Sequence, residues 1–453
     1  MESLNPSAGR GPSRVSYEGT NAWKRGPMEQ TTIPGYVSRN RGDQRGVGGR
    51  IDACSTPAEV ALLTGGGDKP YALGMALALS AAGVPIDFIG SDELDVPELR
   101  CRSSLNFLNL RGSTETDVSP PRKMVRIVAY YLRLFRYAVT ARPKIFHILW
   151  NNKFPLFDRT VLMLYYRMLR KRIVFTAHNV NAGKRDGNDT IVNRLTLRVQ
   201  YLLADHIFVH TARMKDDLVR EFNANPAKIT VIPFGINNTI SNTALTSAQA
   251  RKGLGFAASD KVILFFGCIT PYKGLEYLVT AFEAVAKDCA NYRLIIAGKP
   301  KARDDYWNSV EKLIDRSVVR DRITLRAEYV PDEETEVYFK AADVLALPYL
   351  HVFQSGVLFL SYSFGLPVIA ADVGSLSDEI IEGETGFIFK AADERELAKV
   401  IRDYFSSWLY ADLDCRRQEI RGVANKRYSW TKVARITSGV YSSLLGVSNC
   451  ERR

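Results

Sequence analysis

The sequence predicts an α/β protein built from two doubly wound, Rossmann-like domains joined by a polar linker. Near Val60 a short apolar run enters a glycine turn, then a helix, then a second apolar run, which is how a parallel sheet opens. The same order restarts near Lys261. With 453 residues, 46% of them hydrophobic and 24% charged, the chain holds enough apolar material for two large cores.

Residues 1–55 are rich in Gly, Ser, Arg, Asn and Pro and bury too little to order themselves, so they read as a disordered extension. The first domain, 56–238, opens with VALLTGGG as a strand and glycine turn. YALGMALALSAAG follows as a helix ending at Gly83, and VPIDFIG as the next strand. Further strands are read at 145–150, 172–178, 206–211 and 229–235, with helices at 123–140, 157–170, 190–203 and 213–222. Residues 239–258 read as the polar linker. The second domain, 259–428, has strands at 261–267, 292–298, 322–329, 343–349 and 367–371, with a helix at 274–288 after the first of them. Residues 429–453 read as a helix capped by Ser429 and a tail.

The formal net charge is +12, and it is uneven. Residues 51–240 hold 25 Lys/Arg against 17 Asp/Glu, while residues 241–453 hold 28 of each. The first half therefore suits an anionic partner: nucleic acid, anionic lipid or a polyanionic glycan. No basic–aromatic motif of a nucleic-acid module is present, so nucleic acid ranks last and is not expected. Six cysteines without a CxxC pair argue against a zinc module and for reduced thiols in a cytosolic setting. No apolar run of about 18 residues is present to span a bilayer. The N-terminus lacks the charged start and apolar core of a secretory signal. Neither a metal nor a bound cofactor is expected.

Open α/β sheets bind ligands outside the carboxyl ends of their strands. At the first strand of the second domain, GCITPYKG sets Lys273 against a helix start, a ready phosphate site. A lone lysine in such a loop is more often only solvated. FQSGV sets Ser355, Gly356 and Val357 at the start of an apolar helix. Ser355 suits an N-cap, Gly356 leaves room for close approach, and the N–H groups of Gly356 and Val357 suit an anion. One such loop alone is more often ordinary capping. Two at strand ends of one domain point to a diphosphate.

Taken in order, GCITPYKGLEYLVTAF, IIAGKPK, FQSGVLFLSYSFGLPVIAADVGSL and EGETGFIF resemble the donor domain of family 4 retaining glycosyltransferases, of the GT-B fold. LLTGGGDKPYALG, TAHNVNAGKRDGND and VIPFGINN resemble the N-terminal domain of that family, so the likeness spans about residues 58–445. The resemblance implies two domains facing a central cleft, the acceptor side first and the donor side second, with the C-terminal helix crossing back. It implies a nucleotide-diphosphate sugar as donor and a glycan or lipid-linked glycan as acceptor, with retention, in cell-surface polysaccharide or glycoconjugate synthesis. By the resemblance, Lys273 stabilises the leaving diphosphate, and Ser355, Gly356 and Val357 hold the distal phosphate. Gly65, Gly66 and Gly67 approach the diphosphate from the opposite domain, His178 sits by the donor sugar, and Gly298 lets the base lie near its strand end. His147 and His210 also flank strands and read as bonded to backbone carbonyls.

The sequence departs from the family pattern at two places. Val352 and Leu360 stand where relatives carry two glutamates, with QSGV between them. Cys268 and Thr270 stand where an arginine accompanies the lysine. The alternative reading is therefore a catalytically impaired GT-B protein that binds a sugar nucleotide or a partner. In the segment 121–144, Arg126, Arg133 and Arg136 share helical spacing beside an apolar face. That pattern suits a domain-surface helix and, equally, an interfacial helix on anionic lipid. The expected location is cytoplasmic, with peripheral contact at the inner face of the membrane.

Overall fold

The computed structural model describes residues 59–114, 119–237, 240, 242–301 and 305–446. The expectation for 1–55 and the end of the C-terminal tail lie outside the described residues. Seven strands form the first sheet: β1 (Val60–Leu63), β2 (Ile86–Gly90), β3 (Leu105–Asn109), β4 (Ile145–Ile148), β5 (Arg172–Thr176), β6 (His206–Val209) and β7 (Ile229–Val231). Six form the second: β8 (Lys261–Phe266), β9 (Tyr292–Ala297), β10 (Ile323–Arg326), β11 (Val344–Leu347), β12 (Val368–Ala371) and β13 (Gly386–Phe389). The orders are β3-β2-β1-β4-β5-β6-β7 and β10-β9-β8-β11-β12-β13, with parallel pairing. Both orders reverse beside their first strand, between β1 and β4 and between β8 and β11, and a crevice opens at that point.

β1, β2 and β4 are buried at every position. Helices cover both faces, so these strands read as continuous apolar runs. β3 and β13 were not foreseen as strands. β3 is an edge strand whose Asn106 and Asn109 interrupt the apolar run, and β13 is a four-residue edge.

Seven helices position the site. α1 (Lys69–Ala81) is capped by Asp68, which accepts the Tyr71 N–H at 2.8 Å. α2 (Pro120–Thr140) leads into β4. A short turn, Pro155–Phe157, and a π-turn, Asp158–Leu162, run into α3 (Met163–Met168). α4 (Ile191–Leu203) follows β5. α5 (Leu275–Ala286) and α6 (Gly356–Ser363) follow β8 and β11. α7 (Trp430–Leu445) closes the described chain. α2, α3 and α4 share one apolar core on one face of the first sheet, while α1 and α7 share another.

The stretch read as a polar linker, 239–258, contains a helix at Ser247–Leu254. Its polar residues are the capping residues. Thr246 and Gln249 form a capping box, and Gly255 ends the helix in the left-handed region. Lys340 Nζ donates to the Thr243 and Leu245 carbonyls and ties the segment to the second domain.

α7 returns to the first domain. Ser429 caps it by accepting the Lys432 N–H at 3.3 Å. The Trp430 ring fills space that exists because residues 74 and 235 are glycines: a Cβ there would lie 2.2 and 2.6 Å from the ring. Its Nε1 donates to the Ile236 carbonyl at 2.8 Å. Further along, the Tyr441 hydroxyl bonds His147 Nδ1 at 2.5 Å, and the Thr176 hydroxyl bonds the other ring nitrogen at 2.7 Å. His147 thus meets two side chains and not the backbone carbonyl expected of it, because α7 brings Tyr441 over β4. Trp430→Ala should lower stability by about 3 kcal/mol, the cost of a large aromatic cavity. Denaturant unfolding checks this, and a loss below about 0.5 kcal/mol, the usual surface range, would show that the ring does not anchor α7.

Candidate active site

On the donor side, the chain leaves β8 at Gly267, whose φ is 98°. The turn Pro271–Lys273 meets α5 through Gly274. A Cβ at 274 would sit 2.2 Å from the Pro348 carbonyl oxygen, and φ there is 61°, so only glycine fits. This tight turn folds Lys273 inward. Lys273 is 6% exposed, and its Nζ lies 5.3 Å from the Tyr349 ring centre and 5.9 Å from that of Phe265. Among the described residues no carboxylate pairs with it.

The start of α6 converges on the same point. A Cβ placed on Gly267 would be 3.1 Å from Lys273 Nζ and 3.4 Å from Val357 Cγ2. Space beside Gly356 is open, with nothing within 4 Å of its Cβ position. Ser355 occupies the N-cap position, but its hydroxyl accepts no helix N–H, so the expected capping bond is not made. Gln354 Nε2 is buried without a hydrogen-bond partner, while its Oε1 accepts from the Ser375 hydroxyl. Gly298 packs against the loop that carries Lys273. Its Cβ would strike the Gly267 carbonyl oxygen at 2.0 Å, so its missing side chain lets the Lys273 loop pack.

On the acceptor side, Gly65, Gly66 and Gly67 turn the chain out of β1, with the Gly67 N–H donating to Thr64 O at 3.1 Å. Trp150 and Arg111 wall this turn. Cβ atoms at 65 and 67 would lie 2.0 Å from the Trp150 carbonyl oxygen and 1.9 Å from its ring, and one at 66 would lie 1.6 Å from the Arg111 guanidinium. Asp68, next in the chain, and Tyr71 share a cavity of about 260 Å³ with Gly356, Val357, Leu360 and Trp430. Asp68, which follows the glycine turn, and α6 therefore border one space. Leu360, standing at the place of a family glutamate, gives that space an apolar wall, and Val352 is buried.

His178 stacks flat on Trp150, with ring centres 4.0 Å apart and planes 4° apart, and Tyr71 meets it edge-on. Its Nδ1 bonds His210 Nε2 at 3.0 Å, and His210 Nδ1 lies 3.3 Å from the Ile232 carbonyl. A carbonyl only accepts, so His210 Nδ1 carries the proton and His210 Nε2 accepts from His178 Nδ1–H. That leaves a lone pair on His178 Nε2, which is buried without a partner. His210 meets the expected backbone carbonyl and, in addition, sets the tautomer of His178.

A second cavity, about 240 Å³, is bordered by Arg111, which packs on Gly66. Arg111, Lys123, Arg126 and Lys153 line it with Tyr130 and Asn152, and among the described residues no carboxylate lines it. Arg111 Nη1 is buried without a hydrogen-bond partner, and Tyr130 donates to Asn152 at 2.7 Å. Sequence reading missed Arg111, Trp150 and Lys153. Their one visible signal was position: each follows the carboxyl end of β3 or β4. Of the α2 arginines, Arg126 lines the cavity, Arg133 donates to the Leu110 carbonyl at 3.1 Å, and Arg136 is exposed.

Two facing Rossmann-like domains with a crossing C-terminal helix and a cleft at both switch points define a glycosyltransferase of the GT-B fold. Residues 65–239 match the family described as Glycosyltransferase Family 4, and residues 260–407 match that described as Glycosyl transferases group 1. The chain belongs to glycosyltransferase family 4. It is 26% identical over 399 residues to D-inositol 3-phosphate glycosyltransferase of Corynebacterium glutamicum, covering 85% of this chain and 94% of the relative. It is also 26% identical over 410 residues to the protein of that name from Corynebacterium diphtheriae, covering 86% and 92%. Among solved structures, sucrose-phosphate synthase from Thermosynechococcus elongatus has the same fold at a TM-score of 0.68 and 19% identity, over 86% of this chain and all (100%) of that one. Anabaena HepE in complex with UDP-glucose matches at a TM-score of 0.64 and 14% identity, over 85% and 99%.

Burial of these histidines predicts that stability falls with acid. Burial, with a smaller contribution from His206, pushes His147 down to about 3, and burial pushes His210 down to about 4. Burial, with His210 and His147 nearby, holds His178 well below the usual histidine value. Unfolded histidines titrate near 6.5. Below that pH the unfolded chain binds protons that the folded chain refuses, so stability present above about pH 6.5 is lost as pH falls toward 4. Each such histidine costs about 1.4 kcal/mol per pH unit in that window. Unfolding free energy measured from pH 8 to 5 should be flat above 6.5 and fall steeply below. A flat profile down to pH 5 would show that the cluster is hydrated and protonates freely.

Proposed function

We propose that the protein moves a sugar, with retention, from a nucleotide-diphosphate sugar to a hydroxyl of a small phosphate-bearing polyol. The observation that carries this reading is a pair of cationic sites, one at the start of α6 and one at the cavity bordered by Arg111, which packs on Gly66. One is Lys273 beside the open backbone of Gly356. The other is the cavity lined by Arg111, Lys123, Arg126 and Lys153. The complexes of HepE with UDP-glucose support a nucleotide sugar on the donor side. The inositol phosphate in the relatives' name supports a phosphorylated polyol on the other. A compact cavity of about 240 Å³ favours such a molecule over a long glycan.

In this reading the sugar C1–O bond to the diphosphate breaks while the acceptor oxygen bonds to C1 from the same face. The acceptor proton passes to the departing phosphate oxygen. Lys273 and the N–H groups of Gly356 and Val357 hold the negative charge that develops there. Ser355 orients the turn that presents them. The lone pair on His178 Nε2 accepts a hydrogen bond from a sugar hydroxyl and positions the donor. Gly65, Gly66 and Gly67 keep side chains out of the diphosphate's path.

Lys273→Ala should cut transfer about a hundredfold or more, equivalent to about 3 kcal/mol at the transition state, with the melting temperature kept. Near-normal turnover would remove Lys273 from the site. Donor hydrolysis by the wild-type protein decides against the catalytically impaired alternative, and binding of donor without turnover decides for it. Arg111→Ala should raise KM for a phosphorylated polyol about tenfold or more, since a charged hydrogen bond is worth about 1.5–3 kcal/mol. An equal rise for the same polyol lacking phosphate would show that Arg111 only braces the glycine turn.

A further inference from the structure

The helices on the two faces of the first sheet have different outer surfaces. α1 and α7 expose no large apolar side chain, whereas α2, α4 and the segment 154–168 between them expose fourteen of the nineteen that are exposed among the described residues. On each helix they fall at helical spacing: Val128 and Leu132 on α2, Leu164 and Met168 on α3, Leu195 and Leu202 on α4. Leu132 is 64% exposed, Met168 75% and Leu202 74%. The three helices pack side by side. The Tyr165 hydroxyl donates to the Phe135 carbonyl at 3.3 Å, and Arg159 donates to Asn193 at 2.8 Å. Their inner sides are already buried in the domain core, so core packing does not account for the outer stripes.

The charge of the same region is one-sided. Residues 119–203 hold 17 Lys/Arg against 3 Asp/Glu. Of those acids, Asp158 is buried, and Asp186 and Asp189 are paired with Arg185 and Arg194. On α2 the arginines at 133 and 136 lie beside the apolar stripe, between it and the flank that carries Arg126. Aliphatic stripes bordered by arginine match the boundary between acyl chains and headgroups, where the stems of the arginines lie on apolar surface and their heads stay wet.

We propose that the outer face of α2, α3 and α4 docks on an anionic lipid bilayer. Sequence reading placed the contact on the single helix near 123–140, its arginines beside an apolar face, with the basic excess of residues 51–240. The structure moves its centre to the aliphatic stripes of three helices, with the basic excess as the attraction. α2 also carries Lys123 and Arg126 of the cationic cavity, so docking holds that cavity near the headgroup plane. This last consequence rests on the acceptor reading, but the docking does not.

The test is sedimentation of the full chain with vesicles of phosphatidylcholine and about 30% phosphatidylglycerol, at low and high salt. Wild type should bind these vesicles at about 0.1 M salt, bind pure phosphatidylcholine weakly, and bind less at about 1 M, where the Debye length shrinks to about 3 Å. Met168→Gln with Leu202→Gln should lower the bound-to-free ratio about tenfold or more with the melting temperature unchanged, because both side chains leave the apolar phase. Arg136→Gln with Arg198→Gln, the latter exposed on α4, should lower it severalfold at low salt only. Failure to sediment at low salt overturns the proposal. So does unchanged binding by the Met168/Leu202 variant. Dimerisation by analytical ultracentrifugation that the same variant abolishes also overturns it, since the face would then belong to a second copy. Loss of transfer with vesicle binding intact would count against the acceptor reading alone.

Discussion

Lys273 is a buried ammonium with aromatic rings around it and, among the described residues, no carboxylate to meet it. Taking such a charge out of water is costly unless an opposite charge arrives. The backbone nearby is arranged around that one group. Gly274 permits the turn that brings the lysine in, Gly298 permits the loop to pack, and Gly267 leaves room for the Nζ itself. Open space beside Gly356 is what remains for an anion. In the proposed donor site, these glycines shape a cradle for the diphosphate beside Lys273.

The first domain answers from the other side of the cleft with a different device. Its glycine turn is walled by Trp150 and Arg111, and Trp150 in turn holds His178 flat. The relay from the Ile232 carbonyl through His210 fixes which nitrogen of His178 keeps a lone pair. Burial disfavours the charged form of both rings, so the tautomer set by His210 leaves a lone pair on His178 Nε2. The two domains stay in register through α7, whose Trp430 fits against Gly74 and Gly235 and whose Tyr441 reaches His147.

Much of this was legible in the sequence. The two parallel sheets followed from apolar runs that helices cover on both faces, and the glycine turn and the KG and QSGV loops marked the carboxyl ends where ligands bind. Edge strands were harder to read: β3 is broken by asparagines and β13 is four residues long. The helix at 247–254 was hidden because its caps are the same polar residues that mark a linker. The packing of Gly298 on the Gly267 carbonyl is a tertiary contact that the linear sequence does not contain. Arg111 and Lys153 carry no local pattern at all. Their meeting across β3 and β4 is a product of strand order, which a linear reading does not contain. The outer stripes of α2, α3 and α4 were equally hidden, since an apolar residue in a helix does not declare whether a core or a solvent lies beyond it.

The most direct measurement is a crystal structure with a nucleoside diphosphate such as UDP bound. The distal phosphate should sit within hydrogen-bonding distance of Lys273 Nζ and of the N–H groups of Gly356 and Val357, facing the Gly65–Gly67 turn. A diphosphate bound with Lys273 still unpaired, or held outside this cleft, would contradict the assignment of the donor site.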